Sequence, residues 1–238
     1  MLAILYDIHG NLPALEPVLA DAEAAGAERY LLGGDYALFG AWPEETVERL
    51  RELGDAVWIR GNVDRWTAAP DAAPDADLIQ RSIEWCADRL GDDAVRALAA
   101  LPEQAILDGT RWCHASPVSD VKSFRPDPDR ELDGLESQVG DDEQLGAGVA
   151  EPRLVFGHTH HAFRRPGPGG VELVNPGSVG LPWDGDPRAG WALLREDGTL
   201  ELRRLEYDHE AAAEAVRERL GDWAETTARR LEAARFEP

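Results

Sequence analysis

Short apolar runs and amphipathic segments alternate along the first part of the chain. Apolar runs lie at residues 2–6, 29–32 and 56–59. The segments between them, residues 12–25 and 43–53, carry apolar residues at the spacing that buries one face of a helix. This alternation predicts strand-helix units, which form a parallel sheet with right-handed crossovers.

Further strands are predicted in the rest of the chain, and Asp-Gly turns join two pairs of them. These predicted strands lie at residues 104–107, 110–113, 154–156, 171–174, 190–195 and 200–206. Asp108-Gly109 and Asp197-Gly198 predict that the first two and the last two form hairpins. Two stretches fit this pattern poorly, at about residues 65–100 and 116–150, and we interpret them as cap or loop insertions. The first contains helical patterns at about 78–90 and 93–100, and the second an acidic helix.

The end of the chain predicts one C-terminal helix at about residues 209–235. Five of its residues recur at near-helical spacing, namely Leu220, Trp223, Thr227, Arg230 and Leu231. We expect this face to pack against the domain or to form a homo-oligomer contact.

Length and charge narrow the class of protein. With 238 residues and 43% hydrophobic content, the chain fits one domain, 1–238. It has no apolar run long enough to span a membrane and no basic region before a cleavable apolar segment, so we expect a soluble, cytoplasmic protein.

The formal net charge is -22, and Lys122 is the only lysine. Such a surface repels nucleic acid and anionic membranes, which excludes both as nonspecific partners. It is typical either of a GC-rich genome or of adaptation to high salt.

Histidines and carboxylates follow several predicted strands. Of six histidines, His9, His114, His158 and His160 come directly after apolar runs, often beside glycine. Asp7 and His9 would face one site together if the first strand continued that far, because alternate residues of a strand share a face. Asp35 and Asn62 follow the next two strands. The carboxyl ends of parallel strands are where ligands gather, so we expect a site with enough oxygen and nitrogen ligands for two divalent metals.

The order of these motifs resembles that of the calcineurin-like metallophosphoesterases. The motifs are Asp7-Ile8-His9, Gly34-Asp35, Gly61-Asn62-x-Asp64, His114 and Gly157-His158-Thr159-His160. Five motifs in this order form a specific pattern over residues 2–205. The resemblance implies an α/β fold, a two-sheet β-sandwich flanked by helices in four layers, αββα.

The resemblance also implies a metal centre and a reaction. Asp7, His9 and His160 would hold one metal, Asn62, His114 and His158 the second, and Asp35 would bridge them. Mn is expected, and mixed oxygen and nitrogen ligation also accepts Fe, Zn, Co or Ni. A metal-bridging hydroxide would attack the phosphorus of a small phosphodiester or phosphomonoester.

The third motif departs from the pattern of many family members, which carry a histidine where this chain has Val63. That histidine protonates the leaving group or stabilises the phosphoryl transition state. Its absence predicts slower phosphatase action, or a preference for diesters and activated leaving groups. Asp64 is expected to orient a ligand histidine, and His161 or Arg65 is a candidate to compensate for the missing histidine.

Candidate substrate contacts are Asn62, Arg65 and Arg188. The planar guanidinium group of an arginine can donate two parallel hydrogen bonds to a phosphate. Most arginines in so acidic a chain are expected to be surface counter-charges instead. The alternatives to a small-ester phosphoesterase are a protein phosphatase, a dinucleoside polyphosphate hydrolase, or a noncatalytic scaffold of the same fold.

Overall fold

The computed structural model describes residues 1–132 and 134–237. Within these ranges the ten strands are β1 Leu2–Leu5, β2 Arg29–Leu32, β3 Asp55–Trp58, β4 Gln104–Leu107, β5 Thr110–Cys113, β6 Arg153–Val155, β7 Phe163–Pro166, β8 Glu172–Asn175, β9 Ala189–Leu194 and β10 Leu200–Leu205. The seven α-helices of the described residues are α1 Leu12–Ala24, α2 Pro43–Arg51, α3 Asn62–Ala68, α4 Asp77–Ala99, α5 Asp142–Leu145, α6 His209–Leu220 and α7 Glu225–Ala233.

Two five-stranded sheets form the centre of the molecule. One sheet has the order β10-β9-β1-β2-β3, and the other has the order β4-β5-β6-β8-β7. β1, β2 and β3 pair in parallel, as the first strand-helix units predict, and β5, β6 and β8 also pair in parallel. Both predicted hairpins are present, as β4-β5 and β9-β10.

The two sheets pack face to face, with helices outside them. Leu2 and Ile4 of β1 and Tyr6 just beyond it join Trp112 and Val155 of the second sheet in one buried cluster. On the opposite face of β1, Ala3 and Leu5 pack in a second cluster with apolar residues of α1 and α2. Since both faces of β1 are covered, its run is continuously apolar. The predicted αββα sandwich is confirmed.

Three element predictions need correction. The predicted acidic helix of residues 116–150 is limited to α5 and a short 3-10 turn, Glu136–Gln138. β7, which the apolar pattern did not predict, pairs with β8. The predicted helix 209–235 is divided into α6 and α7, because Gly221 between them takes φ 94° and ψ -177°, a backbone conformation that interrupts a helix. Within α4, Gly91 breaks the helical conformation, which matches the two helical patterns predicted there.

No helix in the described ranges combines the length and apolar character that crossing a membrane requires.

Candidate metal centre

The seven predicted metal ligands converge at one edge of the two sheets. Asp7 and His9 follow β1, Asp35 follows β2, and Asn62 is the first residue of α3, just beyond β3. The second sheet supplies His114 after β5, and His158 and His160 after β6. All seven side chains are buried.

Five of these residues have a left-handed backbone conformation. φ is 55° at Asp7, 50° at His9, 59° at Asp35, 71° at His158 and 55° at His160. β1 ends at Leu5, so the condition that the strand continues to His9 is not met, although Asp7 and His9 do face one site. They meet because the loop turns sharply, in a conformation that is unfavourable for residues other than glycine and that the surrounding fold must stabilise.

The first group of ligand atoms comes from Asp7, His9 and His160. These residues offer ligand atoms that all lie within 4.8 Å of one another. His9 Nε2 and His160 Nε2 are 3.1 Å apart, and His160 Nε2 lies 3.6 Å from Asp7 Oδ1.

The second group comes from Asp35, His114 and His158, whose ligand atoms also lie within 4.8 Å of one another. Asn62 Oδ1 lies 2.9 Å from both His114 Nε2 and His158 Nδ1. Rotating the amide would instead point its NH2 group at both rings. The inward oxygen is the orientation that a cation would favour, since it brings only acceptor atoms together.

Asp35 lies between the two groups. Its Oδ2 is 3.3 Å from His114 Nε2 in the second group and 3.8 Å from His9 Nε2 in the first. Asp35 thus lies near ligand atoms of both groups.

Backbone carbonyls orient three of the histidine rings. The Nδ1 atoms of His9, His114 and His160 lie 2.9, 2.9 and 2.5 Å from the carbonyl oxygens of Leu38, Gly33 and Leu181. A ring that donates its Nδ1 proton to a carbonyl leaves the Nε2 lone pair free for a metal. The three Nε2 atoms face the site.

The donor set fits divalent cations. Asp7 Oδ1 is buried and has no hydrogen-bond partner among the described residues. Burial opposes a charge on His114, but Asp35 and Asp7 outweigh it and raise the His114 pKa to about 10. Burial and the neighbouring His114 lower the pKa of His158 to about 3. A group of buried carboxylates that draws positive charge onto a neighbouring ring is suited to bind cations.

Asp64 has a different role from the predicted one. Its carboxylate accepts hydrogen bonds from the backbone N–H groups of Asp35, Tyr36 and Gly61, at 2.9, 3.2 and 2.8 Å. The expectation that it orients a ligand histidine is therefore wrong. Asp64 ties the Asp35 loop to the turn before Asn62, so it positions two ligands through the backbone. Burial and the charge of Asp35 raise its pKa to about 7, while the three N–H donors act in the opposite direction.

A cleft of about 700 Å³ lies over the ligands. Asp35, Asn62, His158 and other ligands line its floor, and both predicted insertions contribute walls, residues 72–79 from the first and Val121, Ser137 and Gln138 from the second. Most of the remaining wall is apolar and includes Phe39, Val63, Trp66, Trp183 and Phe236.

The other predicted site residues are placed as follows. Arg65 lines the cleft, but its fork pairs with Asp120 at 2.7 and 2.9 Å. Arg188 pairs with Asp186 and borders a separate surface pocket. His161 turns its Nδ1 towards the Thr159 carbonyl oxygen, 2.6 Å away. Among the described residues, neither Arg188 nor His161 lines the cleft.

One charged residue of the cleft was not predicted. Arg230 of α7 lines it with only 8% of its surface exposed, although the chain pattern indicated packing or oligomer contact for this face. The sequence does contain a clue, because Arg230 lies on a helix face whose other residues are apolar or small. A charged residue on such a face is seldom buried unless it has a partner.

Comparison with known proteins identifies similar chains and folds. The model of the calcineurin-like phosphoesterase superfamily domain matches residues 1–198. The uncharacterized protein MJ0912 of Methanocaldococcus jannaschii is 29% identical over 248 residues, covering 94% of this chain and 95% of that protein. The crystal structure of a metallophosphoesterase from Sphaerobacter thermophilus has a TM-score of 0.77 at 25% identity, covering 98% of this chain and 99% of that one.

The hypothetical protein PH1004 from Pyrococcus horikoshii OT3 has the same fold, with a TM-score of 0.76 at 22% identity, covering 94% of this chain and 96% of that one. The family model spans every predicted metal ligand, from Asp7 to His160. The chain therefore belongs to the calcineurin-like phosphoesterase superfamily.

Proposed function

We propose that this protein is a dinuclear metal-dependent phosphoesterase that hydrolyses small phosphodiesters or phosphomonoesters. The observation that carries the proposal is the pair of buried ligand groups, Asp7-His9-His160 and Asp35-His114-His158, at the floor of one cleft. Asn62 adds an oxygen to the second group, and Asp35 lies between the two. Mn is the proposed metal.

Two divalent cations held there would activate water and neutralise the oxygens of the phosphoryl group. The chain itself holds the ligands in place. The Leu38, Gly33 and Leu181 carbonyls orient three rings, and Asp64 fixes the loops of Asp35 and Asn62. A buried, oriented ligand set lowers the reorganisation needed when substrate binds.

The cleft supports a small substrate. Its volume of about 700 Å³ is that of a small-molecule pocket, and its walls come from both insertions. A protein substrate would need a more open surface around the metal ligands. The complete ligand set weighs against a noncatalytic scaffold.

Val63 supports a preference for good leaving groups. It lines the cleft and has no proton to donate. The N–H of Val63 donates to Asp35 Oδ1 at 3.1 Å, so its backbone supports the centre while its side chain leaves the departing oxygen without an acid.

Metal analysis combined with an ester assay tests the proposal. After gel filtration with Mn, we expect two metals per chain and Mn-dependent hydrolysis of bis-p-nitrophenyl phosphate. His160→Gln should reduce the rate by about 100-fold or more, because it removes a ligand. The matched control His209→Gln, on α6 outside the cleft, should stay close to the unmodified protein. Two bound metals without turnover of any ester in a panel including nucleotides would favour the scaffold.

A further inference from the structure

Arg230 is unusual among the arginines of this protein. Most of the others form ion pairs with carboxylates. Carboxylates are plentiful, because the chain has 46 acidic and only 24 basic residues. Arg65, the other arginine that lines the cleft, is paired with Asp120. Among residues 1–132 and 134–237, no carboxylate forms an ion pair with Arg230, and only the more distant charge of Glu237 favours its charged form. Its Nε donates to the Glu237 carbonyl oxygen at 2.7 Å.

The guanidinium is held between aromatic rings. Its central carbon lies 5.8 Å from the Trp183 ring centre and 4.3 Å from that of Phe236. Trp183 in turn stacks on the metal ligand His160, with ring centres 3.8 Å apart. Cation–π contacts stabilise the charge only in part, and a buried guanidinium without an anion is costly.

The position of Arg230 is reinforced by the segment after α7. The Gly185 N–H donates to the Ala234 carbonyl oxygen at 2.9 Å, and Asp184 forms an isolated β-bridge with Arg235. Phe236 contacts Gly134, where an added Cβ would lie 2.8 Å from the ring. The chain end is thus attached to the loop between β8 and β9 and holds the arginine at the cleft wall.

We propose that Arg230, Trp183 and Phe236 form a second anion subsite that binds a negatively charged group of the substrate other than the ester phosphate. This inference rests on the proposed function and narrows its substrate class. The substrate is an ester with a planar or apolar middle part, which the aromatic wall accommodates, and a carboxylate or second phosphate at the far end. Burial lowers the pKa of Arg230 to about 10, so it remains charged at neutral pH.

Binding of two non-hydrolysable phosphonates to the Mn-loaded protein tests the subsite without turnover. Phenylphosphonate carries only the group that faces the metals, and 4-carboxyphenylphosphonate adds a carboxylate across the ring. By calorimetry, we expect the second compound to bind about tenfold more tightly, because a charge-assisted pair with arginine is strong. 4-Phosphonophenylphosphonate, with phosphonate in place of carboxylate, distinguishes the two anion types.

The variants assign the preference to Arg230. Arg230→Met should abolish it while changing the phenylphosphonate affinity by less than about twofold, and Arg230→Lys should retain part of it. The neighbouring Arg229→Met, whose side chain is 54% exposed, is the matched control and should keep the full preference.

The outcomes separate the two proposals. Equal binding of the phosphonates by the unmodified protein would overturn the subsite and leave the phosphoesterase proposal standing. Equal weakening of both by Arg230→Met would also overturn it, since that indicates a structural role. Binding of neither phosphonate would contradict the phosphoesterase site itself, and the subsite with it. If Arg230→Met does not fold, comparing the affinities for the phosphonates in the unmodified protein and in Arg230→Lys still tests the subsite.

Discussion

Individual residues make the metal centre through close backbone approach as much as through ligand chemistry. At Gly61 and Gly157, carboxylate groups occupy the space that a side chain would need. A Cβ on Gly61 would lie 2.0 Å from Asp35 Oδ1, and one on Gly157 would lie 2.5 Å from Asp7 Oδ2. The close approach of these carboxylates therefore requires glycine at both positions.

We predict that Gly61→Ala displaces the Asp35 carboxylate and weakens metal binding by about 10–100-fold, the range seen when ligand support is lost. Metal content after gel filtration measures this directly. Gly54→Ala is the control, since no atom lies within 4 Å of its added Cβ. Full metal occupancy in Gly61→Ala would show that the loop adjusts without cost.

In our proposal, the side chain at position 63 determines how strongly the rate of hydrolysis depends on the acidity of the leaving group. We predict that Val63→His raises hydrolysis of phenyl phosphate relative to p-nitrophenyl phosphate by about tenfold, because an added general acid helps the poorer leaving group most. Steady-state rates over a series of phenols measure the change. Val63→Leu controls for altered packing at this buried position. An unchanged dependence on leaving-group acidity would refute the assigned role.

At the scale of elements, the candidate ligands connect the two sheets. Asp7, His9 and Asp35 lie in loops of the first sheet and Asn62 begins the helix after β3, while His114, His158 and His160 follow strands of the second sheet. Each proposed metal would be held from both sheets, as His9 with His160 and Asn62 with His114 illustrate. Metal binding should therefore stabilise the packing of one sheet on the other.

For each metal removed, the melting temperature should fall by about 5–10 °C. A ligand at 100 times its Kd adds about 2.7 kcal/mol, and one kcal/mol moves a chain of this size by about 2–4 °C. Calorimetry before and after chelation, with Mn restored in a final sample, measures the shift. His160→Gln should show a smaller shift. An identical melting temperature with and without metal would argue that the sheets do not depend on the centre.

For the whole molecule, charge is the dominant feature. The chain has 46 acidic and 24 basic residues, and all but one of the basic residues are arginine. A formal net charge of -22 therefore remains after every basic residue is counted against an acidic one. Many ion pairs are exposed, such as Arg96 with Asp92 and Arg81 with Asp77, and contribute little to stability. Repulsion among the surplus carboxylates is therefore expected to destabilise the folded state at low salt.

We predict that the melting temperature rises steeply from low salt to molar KCl, because salt screens this repulsion. Thermal unfolding over a KCl series measures the slope. A variant that neutralises exposed acids such as Asp71 and Asp75 by Asn should depend less on salt. An unchanged melting temperature across the series would reject adaptation to high salt and leave genome composition as the reason for the acidity.

The sequence by itself determined the class of fold and the seven candidate ligands. Apolar runs and turn signals depend on local chemistry, so the strand-helix units and both hairpins are visible in the chain. Ligand types after strands, in a family order, identify Asp7 to His160 as one set before any distance is known.

Only the tertiary structure decided how those residues meet and what surrounds them. The left-handed backbones at Asp7 and His9, the backbone contacts of Asp64, and the place of Arg230 over Trp183 all depend on segments far apart in the chain. Local patterns cannot predict such contacts, because they arise when two sheets and the C-terminal helices pack together. The physical reason is that side-chain identity is local, whereas the partner of a buried charge is chosen by the fold.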